Sequence, residues 1–200
     1  GLVDETLIGC VCQPAEAGNI ARVIALRSGI PKEKPAMTVH RNCASGLEAL
    51  TAASERAAAG RGEVFVVGGT ENMSRVPLLF SLATAAKFGM ASFRPADFAP
   101  IIALKLGLTD PVCGLNMGQT AELLAREFGI SRDEQDEFAL GSHHRAAVAK
   151  DLLREEMVPV YPEKRAHPNF LNDNGVREKQ TIAALRKLKP AFERQNGTVT

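Results

Sequence analysis

Short β-prone runs alternate with helix-forming stretches through the first third of the chain. The predicted strands are residues 5–12, 36–40 and 63–68, and the predicted helices are residues 20–28 and 46–59. A strand, a helix and a second strand in succession usually form a unit in which the two strands are parallel. The order therefore predicts an α/β fold with a parallel or mixed sheet and helices on both faces.

The turn between the second predicted strand and the second predicted helix carries a cysteine. Residues 41–46 read RNCASG, which places Cys43 at the carboxyl end of a strand and at the N-terminus of a helix. Unpaired backbone N–H groups and the positive end of the helix dipole favour a thiolate there. The small residues 44–46 would let a carbonyl group approach closely. Cys43 is thus a candidate nucleophile, and the alternative is a buried structural cysteine.

Composition and spacing argue against several other classes of function. Cys10, Cys12 and Cys113 form no C-x-x-C pair, and the four histidines do not complete a zinc pattern, so we expect no metal site. A net charge of +1 gives no basic surface for nucleic acid. No apolar run reaches the roughly 20 residues that a membrane-spanning helix needs.

The remainder of the chain has a less regular pattern. Residues 75–115 are interrupted by prolines and have no steady period, which predicts an excursion from the sheet with one or two short helices. Ser131 and Glu134 form a capping box that begins a long helix directed towards residue 154. A polar loop is expected over residues 162–174.

Large apolar side chains mark the expected buried faces of two helices. On the helix after Cys43, we expect Leu47, Leu50 and Thr51 to pack inward. On the long helix after Ser131, the corresponding modest stripe is made of Phe138, Ala139, Ala146, Ala147 and Leu152.

Several separate motifs occur in an order that resembles the thiolase family and together cover nearly the whole chain. They are RNCASGL at 41–47, VGGTENMS at 67–74, MGQTAE at 117–122, LKPAF at 188–192 and GTVT at 197–200. The resemblance implies a thiolase-like fold, and because thiolases are about twice this long, it implies an N-terminal-half fragment. The implied domains are a core with the nucleophile turn (1–75), a CoA-binding loop domain (76–190) and a truncated return to the core (191–200).

The resemblance also implies a chemistry and its residues. Thiolases cleave or join 3-ketoacyl-CoA thioesters, with coenzyme A as a substrate and no further cofactor. By similarity, Cys43 becomes acylated and its N–H contributes to an oxyanion hole. Met117 matches a methionine of the pantetheine channel, Arg177 an arginine near the adenine nucleotide, and Phe192 an aromatic residue beside it. The alternatives are core packing for Met117 and a solvated side chain for Arg177.

Some family features are altered or missing. Asn116 stands where many members have His, and Ala184 replaces a serine that contacts CoA in some members. The Gly-His-Pro motif, the Asn-Glu-Ala-Phe motif and the second catalytic cysteine belong to the second half of thiolases and do not occur here. His40, His143 and His144 are interpreted as surface residues rather than catalytic ones.

The implied activity is thiolysis of 3-ketoacyl-CoA in fatty-acid oxidation, as in the β-subunit type of the trifunctional complex. The implied partners are acyl-CoA and CoA, a second copy in a homodimer or tetramer, and a hydratase–dehydrogenase subunit. A cytoplasmic location is expected, with any targeting segment lying upstream of residue 1. The alternatives are an acetoacetyl-CoA-forming acetyltransferase, a condensing enzyme that uses acyl carrier protein, and an inactive half-enzyme or CoA-binding module.

Overall fold

The computed structural model describes residues 2–89, 94, 100–161 and 169–200. Parts of the predicted excursion and of the predicted polar loop therefore lie outside the described residues. The elements in chain order are β1 (Glu5–Gly9), α1 (Ile20–Arg27), β2 (Ala36–Val39), α2 (Ser45–Ala58), β3 (Phe65–Gly69), β4 (Leu78–Leu79), α3 (Leu82–Gly89), β5 (Ile101–Ile102), α4 (Ala103–Gly107), α5 (Met117–Glu127), α6 (Arg132–Val148), α7 (Lys150–Glu156) and α8 (Ile182–Arg186). The chain divides into two compact units, Gly1–Gly107 and Leu108–Thr200.

The first unit is built on a parallel sheet with the strand order β2-β1-β3. In β1, Leu7 lies opposite Met37 of β2 and Val67 of β3, and both pairings are parallel. The predicted α/β arrangement is confirmed. Because the strands are parallel, their carboxyl ends lie at one edge, and the turn that contains Cys43 follows β2 at that edge.

The central strand is buried on both faces. Thr6, Leu7 and Ile8 are consecutive and all buried, although successive side chains of a strand point to opposite faces. Leu7 packs against Ala49 and Ala53 of α2. Burying a leucine side chain contributes about 2 kcal/mol to stability, so this contact is a main support of the helix.

The buried face of α2 differs from the predicted one. Leu47 and Leu50 are 64% and 54% exposed, and the face against the sheet is formed by the smaller Ala49 and Ala53. The prediction that Leu47, Leu50 and Thr51 pack inward is wrong. The reason is that the helix lies so close to the sheet that alanine, and not leucine, fits between them.

Two helices of the first unit end on glycines, as the sequence predicts. Gly29 after α1 and Gly60 after α2 have φ values of +78° and +67°. In both cases the residue after the glycine donates its N–H back into the helix, from Ile30 to Ala25 O and from Arg61 to Arg56 O. This Schellman geometry satisfies carbonyl groups that the helix end leaves unpaired.

The predicted excursion contains the two short helices α3 and α4, and in addition the antiparallel pair β4–β5. Phe80 and Phe88 meet edge to face with ring centroids 6.1 Å apart. The side chains of Leu78 and Ile102 remain exposed.

In the second unit, capping boxes fix the starts of α5 and α6. The side chain of Ser131 accepts the N–H of Glu134, and the carboxylate of Glu134 accepts the N–H of Ser131, as predicted. A matching box at Asn116 and Gln119 begins α5. The long helix is shorter than expected, because Ala149, with a ψ of 2°, ends α6 and precedes α7.

The fully buried residue of α6 is a polar one. Asp136 is buried and accepts a hydrogen bond from Arg132 Nε at 2.9 Å, while Arg132 Nη2 donates to Leu185 O of α8 at 2.6 Å. Of the predicted apolar stripe, Ala139, Ala146 and Ala147 are half-buried, whereas Phe138 is 74% exposed and Leu152 is also exposed. The helix is held by this charged network, which periodicity of apolar residues does not detect.

Among the described residues, no helix has the length and apolar character required to cross a membrane.

Candidate active site

Cys43 lies in the turn between the end of β2 and the start of α2, and its thiol is free and exposed. The preceding residue, Asn42, has a φ of +47°, in the left-handed region that residues other than glycine rarely adopt. Strained backbone of this kind is typical of functional turns that present a side chain outward. The sharp strand-to-helix turn predicted from the sequence is therefore present.

Ser45 holds the turn in this shape. Its Oγ donates to Asn42 O at 2.6 Å and accepts the N–H of Arg41 at 2.8 Å, and its own N–H donates to Asn42 O at 3.0 Å. Ser45 is buried, so its hydroxyl is occupied by the turn. Of the thiol of Cys43 and the hydroxyl of Ser45, the turn consequently exposes only the thiol.

Glycines allow the turn to sit directly on the sheet. A Cβ on Gly9, the last residue of β1, would lie 2.5 Å from Gly46 N and 2.5 Å from the carbonyl carbon of Ser45. Gly69, the last residue of β3, is a further close neighbour, because a Cβ there would lie 3.8 Å from Gly46 Cα. Contact between backbones thus fixes the N-terminus of α2 at the carboxyl edge of the sheet.

The N-terminus of α2 is suited to a negatively charged group. Its N-cap residue, Ala44, makes no side-chain hydrogen bond to the first turn. The positive end of a helix of 14 residues favours an anion at this position. An open cavity of about 410 Å³ lies beside the turn and is lined by Arg41, Ala44 and Leu47, among others.

Of the histidines, His40 lies nearest to Cys43 in sequence, but its contact is with the turn backbone. Its Nδ1 accepts the N–H of Asn42 at 3.4 Å, and its side chain is exposed. Within the described residues no hydrogen bond joins His40 to the thiol of Cys43. The interpretation of His40 as a surface residue agrees with this arrangement.

Cys10 and Cys12 line a different cavity, of about 300 Å³, at the ends of β1 and β3. Glu71 accepts the N–H groups of Val11 and Cys12 at 2.8 and 3.1 Å. Because these N–H groups bond to a side chain, β1 ends at Gly9 and not at residue 12 as predicted. Burial, and then the charge of Glu71, raise the pKa of both thiols, so neither is activated as a nucleophile.

In the second unit, Met117 and Phe192 lie at the N-terminal turn of α5. Met117 is the first residue of the helix and is 54% exposed. The Phe192 ring, 43% exposed, packs on Gly118 so closely that a Cβ there would lie 2.2 Å from a ring carbon. Two of the predicted CoA-binding residues therefore adjoin one glycine, Met117 in the chain and Phe192 by contact, and both have exposed apolar surface.

A cavity of about 290 Å³ adjoins this turn. It is lined by Leu115, Gln119, Glu122, Leu123, Arg126, Phe192 and Glu193. Arg126 and Glu193 form an ion pair at its rim.

Arg177 is held by its backbone against α6. Its N–H donates to His143 Nδ1 at 3.2 Å, and its carbonyl accepts the N–H of Gln180 at 3.1 Å. The Arg177 side chain is exposed. Beside it, Lys150 pairs with Glu178 at 2.5 Å. The turn is therefore ordered while its guanidinium faces solvent.

Sequence reasoning missed the buried carboxylate of Glu122, one turn after Gly118 on α5. Glu122 lies within the MGQTAE motif, but its partners are 76 and 77 residues further along the chain. Small residues on both sides of it, Ala121 and Ala125, were the available sign that this face of α5 is closely covered. No group of three or more His, Cys, Asp or Glu side chains in the described ranges could hold a metal ion.

Residues 1–200 match the family model described as the thiolase N-terminal domain. The chain belongs to the thiolase family. Among curated thiolase relatives, a probable acetyl-CoA acyltransferase of Staphylococcus aureus is 37% identical over 203 residues, which cover 99% of this chain and 50% of the relative. The acetyl-CoA acetyltransferase of Rhizobium meliloti is 38% identical, with 100% of this chain and 50% of the relative covered.

Solved thiolase structures show the same fold. The acetyl-CoA acetyltransferase of Bacillus anthracis superposes with a TM-score of 0.86 at 34% identity, covering 100% of this chain and 50% of the other. Human mitochondrial 3-ketoacyl-CoA thiolase in complex with CoA gives 0.83 at 34% identity, covering 100% and 49%. The predicted thiolase-like fold is confirmed, and the chain spans about half the length of these relatives.

Proposed function

We propose that this thiolase is an acyltransferase that cleaves 3-ketoacyl-CoA with CoA, giving acetyl-CoA and an acyl-CoA shortened by two carbons. The observation that carries the proposal is the exposed Cys43 on a left-handed turn at a helix N-terminus, in a chain of the thiolase family. The corresponding process is fatty-acid β-oxidation.

The thiolate of Cys43 would attack the ketone carbonyl of the substrate and form a tetrahedral oxyanion. When the carbon–carbon bond breaks, the acyl group stays on Cys43, and the enolate of acetyl-CoA leaves and takes up a proton. The thiol of a second CoA then loses its proton, attacks the acyl-cysteine and releases the thiolate of Cys43. The bond exchanged is a thioester on both sides, so this transfer has little free-energy cost.

The turn supplies the electrostatic part of this mechanism. The dipole of α2 stabilises the thiolate before the attack, and the Cys43 N–H donates to the oxyanion in the transition state. Gly9 and Ser45 hold that N–H in place before substrate binds, and a donor oriented in advance is worth more than a mobile one.

The CoA-binding role is assigned to the second unit. Met117 would line the pantetheine arm, Phe192 would lie beside the adenine, and Arg177 would approach the nucleotide phosphates. Their exposed apolar and guanidinium surfaces support these roles. The same proposal divides the chain into a core (1–75), a CoA-binding loop domain (76–190) and a return to the core (191–200).

The assembly and location follow the same proposal. We infer a homodimer or tetramer, an association with a hydratase–dehydrogenase subunit and a cytoplasmic location. The exposed apolar side chains of Leu78 and Ile102 on the β4–β5 pair are available to an acyl chain or a partner surface.

A second candidate is an acetyl-CoA acetyltransferase that forms acetoacetyl-CoA. The Rhizobium meliloti and Bacillus anthracis proteins, which bear that name, favour it. Thiolysis rates with four-carbon and longer 3-ketoacyl-CoA substrates decide between the two candidates, because activity on the four-carbon substrate alone would exclude the first.

The test of the proposal is covalent labelling of the natural full-length protein with acetoacetyl-CoA. We expect the intact mass to increase by one acetyl group, and peptide mapping to place that group on Cys43. Cys43→Ala should prevent the adduct and lower thiolysis by about a thousandfold or more, because the variant lacks the proposed carrier of the acyl intermediate.

The matched control is Cys113→Ala, since Cys113 is also a free and exposed cysteine. This variant should keep both the adduct and the activity. An adduct on Cys113, or unchanged activity in Cys43→Ala, would refute the nucleophile assignment.

A further inference from the structure

The carboxylate of Glu122 is buried on α5 and is only 2% exposed. It accepts the N–H of Thr198 at 2.9 Å, the N–H of Val199 at 3.0 Å and the hydroxyl of Thr198 at 3.3 Å. A buried carboxylate is tolerated when several donors replace its hydration shell, and here two backbone N–H groups and a hydroxyl do so. One side chain of α5 thus fastens residues 197–199.

The contact leaves no space for a side chain at the start of this segment. A Cβ on Gly197 would lie 2.3 Å from Glu193 O and 2.6 Å from Glu122 Oε1. The backbone of the segment therefore lies directly on the carboxylate.

The same segment is connected to the Phe192 ring. Val199 O accepts the N–H of Ala191 at 2.9 Å, so the fastened end holds the residue just before Phe192. The ring of Phe192 lies on Gly118, which is four positions before Glu122 on the same face of α5. Two points on one helix, Glu122 and Gly118, therefore define the path of residues 191–199.

We propose that Glu122 is a positioning residue for CoA: by fastening residues 197–199 it holds the Phe192 ring on Gly118, next to Met117. This inference rests on the proposed CoA-binding role of Met117 and Phe192. Holding the aromatic ring in its bound position before CoA arrives removes an ordering cost from binding, so the effect falls on CoA affinity.

The first test is Glu122→Gln in the natural full-length protein. The amide keeps one acceptor oxygen and turns an NH₂ donor towards the N–H groups of residues 198 and 199. We expect the KM for CoA to rise about tenfold, as for a weakened hydrogen bond to a charged group, while kcat stays within about twofold. The control is Glu127→Gln, an exposed glutamate near the end of the same helix, which should leave both constants unchanged.

The second test displaces the Phe192 ring and leaves the Glu122 carboxylate unchanged. Gly118→Ala places a methyl group where the ring lies and must displace it, so the KM for CoA should rise in the same way. Because both changes act through the position of one ring, the double variant should show less than the product of the two single effects.

The outcomes separate this inference from the proposed function. If the parent protein does not bind or use CoA, the proposed function fails, and the inference fails with it. If CoA is used but Glu122→Gln keeps the parental KM, or lowers kcat and leaves KM unchanged, the inference alone is overturned. If Glu122→Gln does not fold, Thr198→Val decides: it keeps both backbone N–H contacts to Glu122 and removes the hydroxyl, which donates to Glu122 and accepts Gln135 Nε2 at 2.9 Å. A two- to threefold rise in the KM for CoA is expected.

Discussion

A few single residues determine the geometry of the turn that carries Cys43. Gly9 is important because it has no Cβ: the first turn of α2 occupies the position that a Cβ would take. Asn42 matters through its left-handed backbone, and Ser45 through three hydrogen bonds that hold that backbone. None of them needs to touch a substrate to influence the position of Cys43.

Gly9→Ala is expected to destabilise the protein by about 3 kcal/mol. The methyl group would meet backbone atoms of Ser45 and Gly46, which cannot move aside as a flexible side chain can. The measurement is the free energy of unfolding in urea. Gly18→Ala is the matched control, because a Cβ at Gly18 meets nothing within 4 Å, and a loss of similar size there would contradict the explanation.

The position of Cys43 could be predicted at this scale, and the contacts of Glu122 could not. Cys43 is surrounded in sequence by its own strand, turn and helix, so local signals describe its position. Glu122 obtains its partners from residues 198 and 199, and no local pattern predicts which buried carboxylate meets which distant backbone.

Among the elements, α2 shows two faces of different chemistry. The face against the sheet is made of alanine, and the opposite side carries Leu47 and Leu50 exposed. The sequence shows which residues share a face of a helix. It does not show which face is buried from the size of the apolar side chains, because the distance between helix and sheet decides that.

Ala49→Leu should therefore lower the free energy of unfolding more than Leu50→Ala does, although Leu50→Ala removes apolar surface from the chain and Ala49→Leu adds it. We expect about 2 kcal/mol of destabilisation for Ala49→Leu, because Ala49 is fully buried beside Leu7. Leu50→Ala should change stability by less than about 0.5 kcal/mol in the 200-residue chain. Urea unfolding of the two variants compares them, and the reverse order would show that the faces are wrongly assigned.

The existence and order of the elements in the first unit were predictable from local sequence signals. The helices α1 and α2 end on glycines, and the strands are short apolar runs between them. The helix-ending residues and the hydrophobic pattern therefore predict the same boundaries. The second unit was less predictable because α6 buries Asp136 and pairs it with the half-buried Arg132, and such a charged pair has no apolar period. The two-residue strands β4 and β5 are too short to give a pattern at all.

Across the whole molecule, carboxylates that serve as hydrogen-bond acceptors make the fold sensitive to acid. The N–H groups of Glu63 and Val64, with Lys34, lower the pKa of Asp4 to about 2. The pKa values of three other carboxyls are also lowered, by N–H groups or a lysine: Asp110, Glu134 and Glu178. These groups occur in both units.

Because the folded pKa of Asp4 is below its unfolded value of 3.8, its contribution is complete above that value and is lost as the pH falls towards 2. We expect the urea midpoint to fall over this interval. Asp4→Asn should lower the midpoint at neutral pH and make the fall in acid shallower. The exposed Asp151→Asn is the control, and an equal flattening of its profile would exclude Asp4 as the source.

The contact between Gly9 and the first turn of α2 also has a consequence for motion. The backbone of Ser45 and Gly46, just after Cys43, rests on Gly9 of β1 without a side chain in between, and close-packed backbone transmits displacement directly. We therefore expect the backbone that begins α2 to move together with the sheet on the fast timescale, and not with the larger fluctuations of an unsupported surface turn.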